Sequence, residues 1–186
     1  GHSGSADMPT VNPLGGAYYQ NANNGGNDAF ILKFNATGVS LWATYYGGSA
    51  NEYYGTGCFD NLETDACGNV YVTFATLSSD ITTLNSGGCN PYYKSTFLGG
   101  EDVFIAEFKN SGVPLWATYF GDNKKDFRES IALDANGNLF LAGELWSYTV
   151  STNLPLADPG SGAFYASTPH GIGAEDGFIS KFPTVP

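Results

Sequence analysis

Positive charge is scarce in this chain of 186 residues: 7 Lys and Arg stand against 18 Asp and Glu, for a formal net charge of −11. A nucleic-acid binder needs a basic footprint to displace counterions from phosphates, so DNA and RNA are excluded as partners. The same deficit disfavours an anionic membrane surface. There is no run of about 18 apolar residues, the length needed for a membrane-spanning helix. Histidine is limited to His2 and His170. With Gly1-His-Ser reading as a tag remnant, only His170 remains, in a Gly-rich link. One histidine supplies neither a Ser-His-Asp constellation nor a His-rich metal site. Amphipathic stretches with the 3.6-residue period are missing as well, so little helix is expected.

Cysteine is limited to Cys58, Cys67 and Cys89. An odd number leaves at least one thiol unpaired within the chain. A Cys58–Cys67 disulfide would staple a loop between them. Cys67 with Cys89 is the competing pair, and independent thiols are the third alternative. The spacing of Cys58 and Cys67, with no histidine nearby, is not a zinc pattern.

Aromatics and glycine are plentiful: 3 Trp, 12 Tyr, 13 Phe and 25 Gly. A disordered acidic chain lacks such side chains. Glycine-rich corners between aromatic runs suit an all-β fold. The dominant feature is a repeat. Asp28-Ala-Phe-Ile-Leu-Lys-Phe34 returns as Asp102-Val-Phe-Ile-Ala-Glu-Phe108 and again as Asp176-Gly-Phe-Ile-Ser-Lys-Phe182, each time 74 residues on. A fixed period signals a repeat architecture. In the first copy Phe30, Leu32 and Phe34 take one strand face, while Ala29, Ile31 and Lys33 take the other. Asn35-Ala-Thr-Gly38 and Lys109-Asn-Ser-Gly112 are turns. Leu41-Trp-Ala-Thr-Tyr-Tyr46 and Leu115-Trp-Ala-Thr-Tyr-Phe120 are the returning strands. Ser130–Leu133 and Leu139–Gly143 flank the corner Asp134-Ala-Asn-Gly-Asn138. The first copy has Asp65-Ala-Cys-Gly-Asn69 leading into Val70–Phe74.

Four strands per repeat, joined as a meander, predict β-propeller blades of four antiparallel strands; a β-sandwich is the alternative. The repeats fill residues 5–182: a partial blade over 28–46, a full blade over 55–120 and an incomplete one over 129–182. Residues 1–4 are set aside as tag remnant and linker, and 183–186 as a tail. Two and a quarter blades do not close a ring, so the chain reads as a piece of a larger propeller. It could also self-associate through open blade edges.

Taken together, Asp-x-Phe-Ile-x-x-Phe, Leu-Trp-Ala-Thr-Tyr-aromatic-Gly, Asp-Ala-x-Gly-Asn-Val/Leu-Tyr/Phe and Ser78-Ser-Asp-x-Thr-Thr83 resemble the SBBP family of bacterial β-propeller repeats. Gly121-Asp122 departs from the family's Gly-Gly, which Gly47-Gly48 keeps. The resemblance implies a propeller of about seven blades, export to the outside of the cell, and a large multidomain parent of the kind common in Bacteroidota. It implies no chemistry.

The candidate site residues follow from the same alignment. Asp28, Asp102 and Asp176 are expected to be turn carboxylates that accept backbone N–H groups. Calcium needs about six to eight oxygens. The Asp65 and Asp134 loops offer few, so an Asx-stabilised turn is the stronger reading of them. No cofactor is expected, and calcium is the only metal these loops suggest. Trp42 and Trp116 are assigned to packing between blades. Trp146 with Tyr148 is expected to fill the long connection, with stacking on a sugar or a partner surface as the alternative. Tyr18-Tyr19 and Tyr92-Tyr93 anchor the long connections, with glycan binding as their lesser role. The expected function is a non-catalytic structural, adhesion or protein-interaction module on the bacterial surface, with protein or cell-surface glycan as partner. A carbohydrate-binding propeller is the second reading. A propeller hydrolase or lyase is the third, because paired carboxylates occur in no distinctive spacing.

Overall fold

The computed structural model describes residues 1–53, 62–87, 92–147, 154–168 and 174–183. It is all-β, with no helix among the described residues. The strands are β1 (His2–Ser3), β2 (Asp28–Phe34), β3 (Ser40–Tyr46), β4 (Glu52–Tyr53), β5 (Leu62–Thr64), β6 (Val70–Thr76), β7 (Asp102–Phe108), β8 (Pro114–Phe120), β9 (Lys125–Leu133), β10 (Leu139–Ser147) and β11 (Ala174–Phe182). They form three antiparallel sheets. The first has the order β1-β2-β3 and the third β11-β10-β9. The middle sheet runs β4-β6-β7-β8, with β5 also pairing β6. The three sheets form no closed ring among the described residues.

Sequence dictates the alternation within each sheet. In β2, Ala29 and Ile31 are buried while Leu32 and Phe34 are exposed, because successive side chains leave a strand on opposite faces. The returning strand keeps register: Ala29 faces Tyr46, Ile31 faces Thr44 and Lys33 faces Trp42. The middle sheet repeats this, with Val103 opposite Phe120, Ile105 opposite Thr118 and Glu107 opposite Trp116. Each hairpin shifts register at its turn end, between Lys33 and Phe34 or between Glu107 and Phe108. Gly38 and Gly112 make these turns at φ of 81° and 84°, a region that costs other residues a Cβ clash.

Two aromatic cores stack the sheets in chain order. In one, Ala29, Ile31, Trp42 and Tyr46 of the first sheet meet Phe74, Phe104, Ala106 and Phe108 of the middle sheet. Tyr46 lies edge-on to Phe104, with ring centroids 5.6 Å apart. In the other, Val103, Ile105, Trp116 and Phe120 from the opposite face of the middle sheet meet Leu139, Leu141, Phe178 and Phe182 of the third. The middle sheet is therefore buried on both faces, and every residue of β7 is buried.

The long connections run back along the outer edge of the returning strands. Val11 bridges Ala43, Gln20 bridges Tyr45, and Leu84 bridges Ala117. Each is fastened by an indole: Trp42 Nε1 donates to the Tyr18 carbonyl at 3.0 Å, and Trp116 Nε1 donates to the Tyr92 carbonyl at 2.9 Å. Two elements differ from the sequence expectation. His2 and Ser3, set aside as tag remnant, pair with Ala29 and Asp28. The strand after the Asp134 corner runs on to Ser147, so Trp146 lies within β10 rather than beyond a strand ending at Gly143.

Candidate functional site

The residues with the most perturbed chemistry lie where one sheet hands over to the next. Asp28 and Asp102 head β2 and β7, and both are fully buried. Asp28 Oδ2 accepts the Asn24 N–H at 2.9 Å and the Gln20 side-chain amide at 2.6 Å. Its neighbour Glu52 is also buried; it accepts the Gly48 N–H at 3.0 Å and the Thr76 hydroxyl at 2.9 Å. The second junction repeats the plan with less support. Asp102 Oδ2 accepts the Leu98 N–H at 3.1 Å, and Asp126 Oδ2 accepts the Asp122 N–H at 2.8 Å. The other oxygen of each carboxyl, Asp102 Oδ1 and Asp126 Oδ1, is buried without a hydrogen-bond partner.

Gly121 lets these acids approach one another. A Cβ there would stand 2.7 Å from Asp126 Oδ2 and 3.1 Å from Asp102 Oδ1, so a larger residue would force the carboxyls away. Where the first junction has Gln20, the second has Lys94, whose ammonium donates to the Gly121 carbonyl at 2.8 Å. Burial pushes Asp102 up to about 7 and Asp126 up to about 8, and their mutual repulsion and that of Asp122 add to the rise in Asp126. Burial lowers Lys94, although the three aspartates oppose the shift. Taking charge out of water disfavours the ionised form. With the two buried acids fully out of solvent, no substrate reaches them in this arrangement. What the junction does is titrate. The sequence signal for it is an acid 24 residues after each strand-heading aspartate, Glu52 after Asp28 and Asp126 after Asp102. The change from Glu to Asp obscures it.

The corner carboxylates are spent locally. Asp134 Oδ1 accepts the Asn136 and Asn138 N–H groups at 2.9 and 2.8 Å, and its Oδ2 accepts the Asn138 amide at 2.6 Å. Asp65 does the same with Cys67 and Asn69. These are Asx turns. Among the described residues, no group of three His, Cys, Asp or Glu side chains is placed to hold a metal ion. Cys67 is a free, exposed thiol; Cys58 and Cys89 lie outside the described residues, as does His170.

The candidate aromatics divide. Tyr18 packs between sheets, 4.6 Å from Tyr46 and 6.3 Å from Phe108. Tyr92 does likewise with Phe120 and Phe182. Tyr19 and Tyr93 turn the other way, and their hydroxyls meet Thr10 and Thr83 at 3.0 and 3.1 Å. Trp146 lies on the outer face of the third sheet with the Lys125 ammonium 5.8 Å from its ring centroid, a cation–π contact. Tyr148 lies outside the described residues. The five described aromatics therefore do not gather into one platform. A shallow polar groove of about 590 Å³ is lined by Asn69, Ser86, Glu107, Lys109, Asn110 and Leu115. Its buried acid Glu107 is held by the Tyr71 hydroxyl at 2.9 Å.

Ile179 is 77% exposed and Phe34 is 54% exposed, whereas their repeat equivalents Ile105 and Phe108 are both at 0%. The alternation of the strands showed which residues share a face; it did not show which faces lie outermost. Searches of protein-family models and of curated proteins found no match for this chain.

Proposed function

We infer that the chain is a run of β-propeller blades similar to the SBBP repeats, and that it serves as a non-catalytic structural or protein-interaction module of an exported bacterial surface protein. The observation that carries this reading is the face-to-face stacking of three antiparallel sheets in chain order through the same repeated aromatic positions. Blades of a propeller pack in that way, and their residues are spent on packing, turns and junctions. The resemblance of the repeated motifs to the family supports the propeller and the surface location. Lack of a basic footprint supports protein over nucleic acid as the partner.

The carbohydrate-binding reading is the weaker one, because Tyr18 and Tyr92 are committed between sheets. Its remaining support is Trp146 on an outer face, with Tyr19 and Tyr93 turned away from the cores. A glycan array probed with wild type and with Trp146→Ala separates the two. The interaction-module reading predicts no glycan bound above background by either protein. A glycan bound by wild type and lost in Trp146→Ala would replace that reading with the carbohydrate one.

A further inference from the structure

We propose that Lys94 and Asp102 form a self-modification site: the lysine amine condenses with the aspartate carboxyl into an amide within the chain, one water is lost, and Asp126 moves the protons. The proposal stands on the geometry of the second junction and is independent of the module reading. It needs no substrate from solvent, so the burial of the two acids does not oppose it.

The first junction shows that a side-chain nitrogen at this position reaches the strand-heading acid. Gln20 and Lys94 lie 74 residues apart, as Asp28 and Asp102 do. Their backbones are fixed in the same way. The Gln20 N–H donates to the Thr44 hydroxyl and the Lys94 N–H to the Thr118 hydroxyl, both at 2.9 Å. The Gln20 carbonyl accepts the Tyr45 N–H and the Lys94 carbonyl the Tyr119 N–H, both at 3.1 Å. From that anchor the Gln20 amide donates to Asp28 Oδ2 at 2.6 Å. Lysine carries its nitrogen one atom further from the backbone. In the structure that nitrogen rests on the Gly121 carbonyl at 2.8 Å, and a change of side-chain rotamer takes it to Asp102.

The Asp102 carboxyl is arranged as the electrophile. Its Oδ2 accepts the Leu98 N–H at 3.1 Å, so a backbone donor is in place for the charge that develops on that oxygen. Its Oδ1 is buried without a hydrogen-bond partner, so nothing holds it against departure. Asp126, also fully buried, converges with Asp102 on the space beside Gly121. In water an amine and a carboxylic acid ionise to a pair that does not condense. Here burial lowers Lys94 and raises both aspartates, toward the neutral forms that the reaction needs. Holding the two groups together raises their effective concentration, by up to about 10⁵–10⁸ M in well-oriented cases.

The step balances within the junction. Neutral Lys94 Nζ attacks Cγ of protonated Asp102, and the C–N bond forms. Asp126 gives its proton to Oδ1 and takes the one that the nitrogen sheds. The Cγ–Oδ1 bond breaks and Oδ1 leaves as water. Asp126 ends as it began, and no oxidant, reductant or further reactant is consumed. Oδ2 becomes the amide oxygen and keeps the Leu98 N–H, and the hydrogen left on Nζ keeps the Gly121 carbonyl. A newly folded chain holds the groups unlinked, with both acids free to titrate, and the bond accumulates as the protein stands.

Mass spectrometry of the denatured chain tests this. Wild type held for weeks near neutral pH is expected to convert to a species lighter by one water. Trypsin is then expected to stop cutting after Lys94, so that residues 34–109 emerge as one peptide lacking a water. Chymotrypsin, cutting after Phe97, is expected to leave two pieces still joined through Lys94 and Asp102. Lys94→Gln, which restores the residue of the first junction, is expected to lose no water from these residues. Asp126→Asn is expected to form the bond at least about 100-fold more slowly, with near-ultraviolet circular dichroism showing that its aromatic packing is kept. A wild type that retains every water in residues 34–109 overturns the proposal. So does a water loss confined to Asp176–Gly177, where an aspartyl succinimide forms. A link to Asp126 in place of Asp102, or an Asp126→Asn rate equal to that of wild type, overturns the roles assigned to the two acids.

Discussion

Replacing Phe104 with alanine is expected to cost about 3–5 kcal/mol of stability, the range for truncating a fully buried phenylalanine. Against the roughly 5–15 kcal/mol that holds an ordinary domain together, that is a large share of the total. Phe104 has no exposed surface and touches the rings of Tyr46, Phe74 and Tyr119. The repeat provides its own controls. Phe178 is 8% exposed and packs on Phe120 across the second contact, so Phe178→Ala is expected to cost nearly as much. Phe30 occupies the same position in the first sheet. It lies on the outer face with the terminal residue Gly1 against its ring, and Phe30→Ala is expected to cost about 1 kcal/mol, as for partly exposed sites. Urea unfolding measures all three. Equal losses at Phe30 and Phe104 would contradict the order in which the sheets are stacked.

The second large effect is a stability that falls as pH rises. Asp102 and Asp126 titrate near 7 and 8 in the folded protein, against an ordinary value of 3.8. A carboxyl whose folded pKa is raised destabilises the fold when it ionises. The penalty is absent below about pH 4, where both states are protonated, and complete above about pH 8. Stability from this junction is therefore greatest in mild acid and is lost between those limits. Asp126→Asn removes the titration. The side-chain amide keeps an oxygen for the Asp122 N–H and adds a donor in a pocket where Asp102 Oδ1 has none. The variant is expected to gain on the order of 2–4 kcal/mol at pH 8 and almost nothing at pH 4. Lys94 and Asp122 face the same pocket, and Lys94→Gln, which restores the residue type of the first junction, is expected to steepen the dependence. Thermal unfolding of wild type and variant across this range tests it. A wild-type midpoint that climbs with pH would show that the pair is ionised and supported in the fold.

Much of this architecture was legible in the residues. Three copies at one spacing set the strands, and the period of two set which side chains share a face. Asn35, Asp65 and Asp134 announce their turns because an Asx side chain caps N–H groups within its own loop. The stacking order was not legible. Phe30 and Phe104 sit in nearly identical local sequences, and their different burial depends on which sheet lies alongside. The acid junction escaped for a similar reason. Asp102 reads as a turn carboxylate in its own segment, and its partner Asp126 belongs to the next sheet. Trp146 read as a residue just past a strand that ended at Gly143. In the structure Gly143 sits at the register shift between Ala142 and Glu144, where the Phe178 ring approaches it, and the strand continues.

The account's central claim is that repeated aromatics join consecutive sheets. A double-mutant cycle between Tyr46 of the first sheet and Phe104 of the middle one, each changed to leucine, tests it most directly. Their rings meet edge to face across the contact. Stacked sheets predict a coupling energy of about 0.5–1.5 kcal/mol, as for aromatic pairs in direct contact. Additive losses, with no coupling between the two positions, would contradict it.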